Sequence, residues 1–222
     1  MAQLLIVEGN DAIAIANLCI KRRLPPPKGY ETKEKFRDQF VKSAGSYDKA
    51  LIALEQSLDR TDLQNIGIIV DANDKGPQAR LDAILAIIRK KISYPDLNQV
   101  TISEGGTVLE ADGLPKIGIW IMPDNLQNGY LEHFLCNLIP ENDENFQLAG
   151  QTIMDLTTRP FCKFSGVKTQ KALLHTWLAW QESPGAPPGA AIERGFLRAD
   201  LNNADHFITW ISRVFDYGRP NA

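Results

Sequence analysis

Three acids, Glu8, Asp71 and Asp124, each follow a run of uncharged, mostly apolar residues. Leu4-Leu-Ile-Val leads into Glu8-Gly9, Ile66-Gly-Ile-Ile-Val into Asp71-Ala-Asn73-Asp74, and Ile117-Gly-Ile-Trp-Ile-Met into Pro123-Asp124-Asn125. Short apolar runs rich in β-branched residues and bounded by turn residues are the pattern of buried parallel strands. The carboxyl ends of such strands are where open α/β sheets bind ligands. If the three strands are neighbours, their acids converge on one edge. Carboxylates so placed suit Mg²⁺, with Mn²⁺ as its substitute, because this ion takes oxygen ligands, keeps several waters and shares its site with substrate phosphates. An ion held there stabilises charge on a transferring phosphoryl group and orients or activates the attacking water. Asp74 and Glu132 are the secondary ligand candidates. Each acid also has a plainer structural use: Glu8 in a turn, Asp71 as a helix cap, Asp124-Asn125 in an Asx-turn after Pro123, and Glu132 as partner of a helix dipole.

The elements that must carry these acids follow from the periodicity. Strands are expected at 3–7, 39–44, 66–70 and 117–122, with a hairpin between Val100 and Leu114 around Gly105-Gly106. A helix capped by Asn10 or Asp11 follows the first strand, presents Ile13, Ile15, Ala16, Leu18, Cys19 and Ile20, and ends before Pro25-Pro26-Pro27. Residues 24–34 read as a loop. Helices are expected near 47–58, 77–92 and 129–138, the second with Leu81, Ile84, Leu85, Ile88 and Ile92 at core-facing spacing. From 142 onward the strands stop. Helices near 143–157, 167–182 and 202–216 follow, with a Pro/Gly-rich linker at 184–189. Trp177 and Trp180, then Phe207, Trp210 and Phe215, are expected to be packing faces of a helical layer on the sheet.

Composition narrows the class. With 222 residues, 44% hydrophobic and 23% charged, the chain can bury one large α/β core. A net charge of −3 gives no global attraction for nucleic acid, so such binding needs a local patch. Lys21-Arg22-Arg23 with Lys28, and Arg89-Lys90-Lys91, are the basic clusters; taken alone, each is better explained as a solvated helix end, where cations are favoured near a helix C-terminus. Cys19, Cys136 and Cys162 lack the spacing of a zinc site or a disulfide framework. His133, His175 and His206 lack ligand spacing and are expected beside helix cores. No phosphate-binding G-x-x-x-x-G-K-[ST] loop is present. No apolar run approaches a membrane span, and no secretory leader is visible, so the expected compartment is the cytoplasm. A phosphatase or receiver-like α/β protein also places aspartates at strand ends, but its downstream lysine motif is missing.

Taken in order, V-E-G at 7–9, V-D-A-N-D at 70–74, and I-M-P-D-N with G-Y-L-E at 121–132 resemble the Toprim fold of topoisomerases, bacterial primases and OLD-family nucleases. The chain is most similar to a Toprim-like family of small bacterial proteins related to the OLD nucleases. The resemblance covers about residues 3–138 and implies a Toprim-like α/β core at 1–140, with a helical extension at 141–222 packed on it. It implies proton transfer or metal binding for Glu8 and metal binding for the D-x-D position, Asp71. Here Asn73 stands where the second aspartate is expected. Asp74 is adjacent, but successive side chains of an extended segment point to opposite sides. Lys168 and Lys171, one turn apart on a helix of the extension, are the candidate phosphate contacts. The implied function is Mg²⁺-dependent phosphodiester chemistry, as a nuclease or nucleotidyl transferase acting on nucleic acid. The alternative is a non-catalytic Toprim-fold binding or regulatory module.

Overall fold

A computed structural model describes residues 2–9, 12–26, 29–166 and 168–217. Its strands are β1 (Ala2–Val7), β2 (Val41–Ser43), β3 (Leu63–Asp71), β4 (Thr107–Leu109) and β5 (Lys116–Met122). They form one sheet in the order β2-β1-β3-β5-β4, with β4 antiparallel to β5 and the other neighbours parallel. The helices are α1 (Ala12–Lys21), α2 (Lys33–Lys35), α3 (Tyr47–Leu58), α4 (Pro77–Lys91), α5 (Leu131–Cys136), α6 (Glu144–Thr157), α7 (Lys168–Ala179), α8 (Pro188–Arg194) and α9 (Asp205–Val214). This is the α/β class expected, a mainly parallel sheet flanked by helices.

The period-2 alternation of the central strands separates two cores. Ile66, Ile68 and Val70 of β3 and Ile117, Ile119 and Ile121 of β5 face α3 and α4, where Leu54, Leu81, Ile84 and Ile88 cover them. Ile69, Trp120 and Met122 face the other way, toward α1, α5, α7 and α9. Gly67 and Gly118 lie opposite each other in β3 and β5 on that second side. They let α9 settle onto the sheet: a Cβ on Gly118 would lie 2.2 Å from Val214 Cγ2 and 3.0 Å from Trp210 Cζ2. Gly118→Val is therefore expected to cost about 3 kcal/mol by overpacking. That lowers the urea midpoint by roughly 1 M for a chain of this size. Gly150→Ala, inside α6 with open space at the Cβ position, should instead raise it slightly, since alanine is favoured over glycine by about 1 kcal/mol in a helix. Equal midpoints for the two variants would show that α9 does not rest on the glycine pair.

Several expectations need correction. The second strand is only three residues long, because Thr32 caps α2 and a π-helical turn, Phe36–Phe40, replaces the loop and strand start anticipated there. The hairpin between 100 and 114 is absent; β4 pairs with β5 instead, and Leu97–Gln99 forms a single 3-10 turn. The presumed linker at 184–189 runs into α8, which has proline in its first turn and closes on Gly195 at φ 83. Trp177 is buried, yet Trp180 is 40% exposed. Ile13 is half exposed and lies against Gly189 of α8 instead of in the core. His175 and His206 are exposed, while the ring of His133 accepts the Tyr130 N–H at 3.2 Å. Asn10, Asp11, Pro27 and Lys28 lie outside the described residues, so the cap proposed for α1 and part of the first basic cluster do too. Arg22 of that cluster is tied to Asp205, Lys91 to Asp59 at 2.8 Å, and Arg89 to the Leu97 carbonyl at 3.3 Å. These cations serve packing at helix ends. No helix among the described residues is long and apolar enough to cross a membrane.

Candidate functional site

The chain leaves β1 into α1 on one side of the sheet and leaves β3 into α4 on the other. The crevice between the carboxyl ends of these adjacent strands is thus the point at which successive helices part to opposite faces. In open α/β sheets that reversal point is where ligands bind. Glu8, just beyond β1, and Asp71, the last residue of β3, stand in it, lining a cleft of about 410 Å³.

The two acids are fixed by backbone amides. The Asp71 N–H donates to Glu8 Oε2 at 2.9 Å, and the Leu131 N–H, at the start of α5, donates to Asp71 Oδ1 at 3.0 Å. The same helix supplies Glu132, 7% exposed. From the opposite wall α7, anchored by the buried Leu174, Trp177 and Leu178, brings Lys171 to within 2.8 Å of Glu132 Oε1. Lys168, one turn earlier, also lines the cleft. Burial raises Asp71, and the neighbouring carboxylates Glu8 and Glu132 raise it further; the Leu131 N–H and Lys171 only partly oppose them, leaving it at about 7. Burial also raises Glu8, against the Asp71 N–H and the Arg80 guanidinium. Three carboxylates thus crowd a site with too little compensating positive charge, the condition that a bound cation relieves.

The acids of the third motif and its neighbours are used differently. Asp124 reaches the same edge of the sheet, two residues past β5, but its carboxylate accepts the Leu126 and Gln127 N–H groups at 2.9 and 2.8 Å. This is the Asx-turn weighed for it from sequence, and the carboxylate does not line the cleft. Buried Asn125 accepts the Ile121 N–H at 2.8 Å and is a structural plug. Asp74 is exposed and outside the cleft, whereas Asn73, at φ 52, lines it and donates its N–H to the Gly129 carbonyl at 2.9 Å. Among the described residues no group of three or more His, Cys, Asp or Glu side chains is arranged to hold a metal ion. The expected convergence of Glu8, Asp71 and Asp124 is thus replaced by Glu8, Asp71 and Glu132 in one cleft.

A family model described as a protein of unknown function, DUF3226, matches residues 2–216. The chain belongs to the DUF3226 family. Neither a curated protein nor a solved structure matches it. Two side chains of this DUF3226 site have little sequence signal. Arg80, in α4, stacks over Tyr47 at 3.7 Å and acts electrostatically on Glu8. Tyr130, directly before α5, lines the cleft; burial raises its hydroxyl pKa first, and Asp74, Asp71 and Glu132 add to this against Lys171. Only the fold brings these aromatics and the arginine to the acids.

Proposed function

We propose that this protein is a Mg²⁺-dependent, Toprim-like protein of the cytoplasm that acts on phosphodiesters of nucleic acid, as a nuclease or nucleotidyl transferase. The observation that carries the reading is the crowding of Glu8, Asp71 and Glu132 at the switch point of the sheet, with Lys168 and Lys171 on the facing wall. Mg²⁺ fits the donors present: two carboxylates suffice when waters and substrate phosphates complete the octahedron. Asp71 and Glu132 would hold it, with the Asn73 amide oxygen at the margin. Once bound, the ion supplies charge stabilisation on the phosphoryl group and a more acidic water. The residues of the chain do the rest. Glu8 is placed to accept a proton, the lysines and Arg80 to hold phosphate oxygens, and Tyr130 to close one side of the cleft.

Calorimetric titration with Mg²⁺ or Mn²⁺ at pH 8 tests this reading. Saturable binding to the wild type and none to Asp71→Asn is the expected pair of results; no heat from the wild type at millimolar metal would remove the reading. Asn73 makes the affinity without substrate weak, because a neutral amide stands where a second carboxylate is expected. Asn73→Asp should accordingly tighten Mg²⁺ roughly tenfold. Should it leave the affinity unchanged while Asp74→Ala abolishes it, Asp74 is the partner of Asp71. Asn73 also favours a second reading, a binding or regulatory module on the same fold without turnover.

A further inference from the structure

We infer that Lys171 is the internal counter-ion of the acid cluster: a divalent metal must displace its ammonium from Glu132, and the displaced ammonium then grips the phosphate that the metal recruits. The inference rests on the metal reading above and adds a competition and a coupling that the reading does not require.

Glu132 is buried, and a buried carboxylate is costly without a cation. Its ion-pair partner is Lys171 Nζ at 2.8 Å. Glu8 and Asp71 each already accept one backbone N–H, which fixes their orientation and leaves their other lone pairs open to the cleft. The ammonium thus occupies the electrostatic position that a metal would take. Two cations competing for the same acids repel each other at this range, so metal entry weakens the Lys171–Glu132 contact.

The chemistry of lysine makes the exchange cheap. The Lys171 side chain is 58% exposed, so its charge is readily rehydrated on leaving Glu132. An ammonium on a four-carbon stem is a mobile point charge, without the fixed fork that would lock an arginine to a carboxylate. Its backbone stays fixed, because α7 is pinned by buried Leu174, Trp177 and Leu178. The released charge therefore remains over the cleft beside Lys168. A phosphate bridging the metal and Lys171 satisfies both, so metal and anion should bind cooperatively, each raising the affinity of the other by the same factor.

The test compares wild type, Lys171→Met, Lys171→Gln and Lys171→Arg. Mg²⁺ is titrated calorimetrically at pH 8.8, where protons compete little for the carboxylates. A labelled five-nucleotide oligothymidylate is titrated by anisotropy with and without Ca²⁺. Neutral Lys171→Met and Lys171→Gln should bind Mg²⁺ about tenfold more tightly than wild type, and Lys171→Arg should not. The same neutral variants should lose about tenfold in oligonucleotide affinity with Ca²⁺ present, so that the enhancement by metal collapses. Mg²⁺ affinity equal to or weaker than wild type in both neutral variants, with their circular dichroism spectra intact, overturns the counter-ion role and leaves the metal site standing. Absence of Mg²⁺ binding in all four proteins overturns the metal site itself and this inference with it.

Discussion

Heated in chelator, the wild-type protein is expected to melt about 6–12 °C higher at pH 5 than at pH 8.5, once the profile of Asp71→Asn is subtracted. The carboxyl of Asp71 titrates at about 7 in the folded chain against an ordinary 3.8. Between these values the native state binds the extra proton, so stability falls as pH rises through the window and the full penalty is present above it. For that displacement the contribution from pH 5 to 8.5 is roughly 3 kcal/mol at 1.36 kcal/mol per pH unit. A protein of this length shifts by about 2–4 °C for each kcal/mol. Half-buried His133, lowered by desolvation, works in the opposite sense below its ordinary value, which is why the variant must be subtracted. Asp71→Asn keeps an oxygen for the Leu131 N–H, so it removes the charge without removing the cap of α5. Mg²⁺ at pH 8.5 should restore much of the lost stability in wild type and none in the variant, because a ligand bound only by the folded state stabilises it by mass action. Parallel profiles for the two proteins would show that Asp71 is not a strained, cation-seeking acid.

The difference between what could be read from sequence and what could not follows from locality. The three apolar runs ending in Glu8, Asp71 and Pro123-Asp124 encode strands that are buried on both faces, and such runs are legible because the whole segment repeats one demand. The helices with apolar stripes, α3 and α4, are legible for the same reason. Two-residue differences in local bonding were not. Whether Asp124 faces a ligand or its own turn depends on the Leu126 and Gln127 amides, and both uses require the same residue after the same strand. Glu132 looked like the dipole partner of a helix; its role in the cleft arises because α7, some thirty-five residues later, brings Lys171 onto it. The need for glycine in β3 and β5 has no local signal, because it is set by Trp210, Val214 and Phe215, which fill the space from far along the chain. The short α2 and α8 were missed because charged residues and prolines mask elements of one or two turns.

The largest expected effect concerns turnover. With Mn²⁺ or Mg²⁺ at low salt, the protein should nick or cleave DNA or RNA, and Glu8→Gln should reduce the rate at least about 100-fold, the lower end of what a positioned general base contributes. Glutamine preserves the acceptor for the Asp71 N–H, so the end of β1 stays docked on β3 while the carboxylate is lost. A fall in rate in a variant whose melting curve is unchanged then reports chemistry. Low salt matters because the chain carries a net charge of −3, so a polyanion must be drawn in by local cations such as Lys168 and Lys171, which line the cleft. Phosphate contacts of this kind weaken steeply as salt rises. Single- and double-stranded substrates should both be offered. Activity that survives Glu8→Gln unchanged belongs to a contaminant. If the wild type shows no cleavage at low salt yet binds Mg²⁺ through Asp71, the neutral Asn73 has left a site that captures metal and phosphate without turning over, and the binding or regulatory module becomes the correct reading.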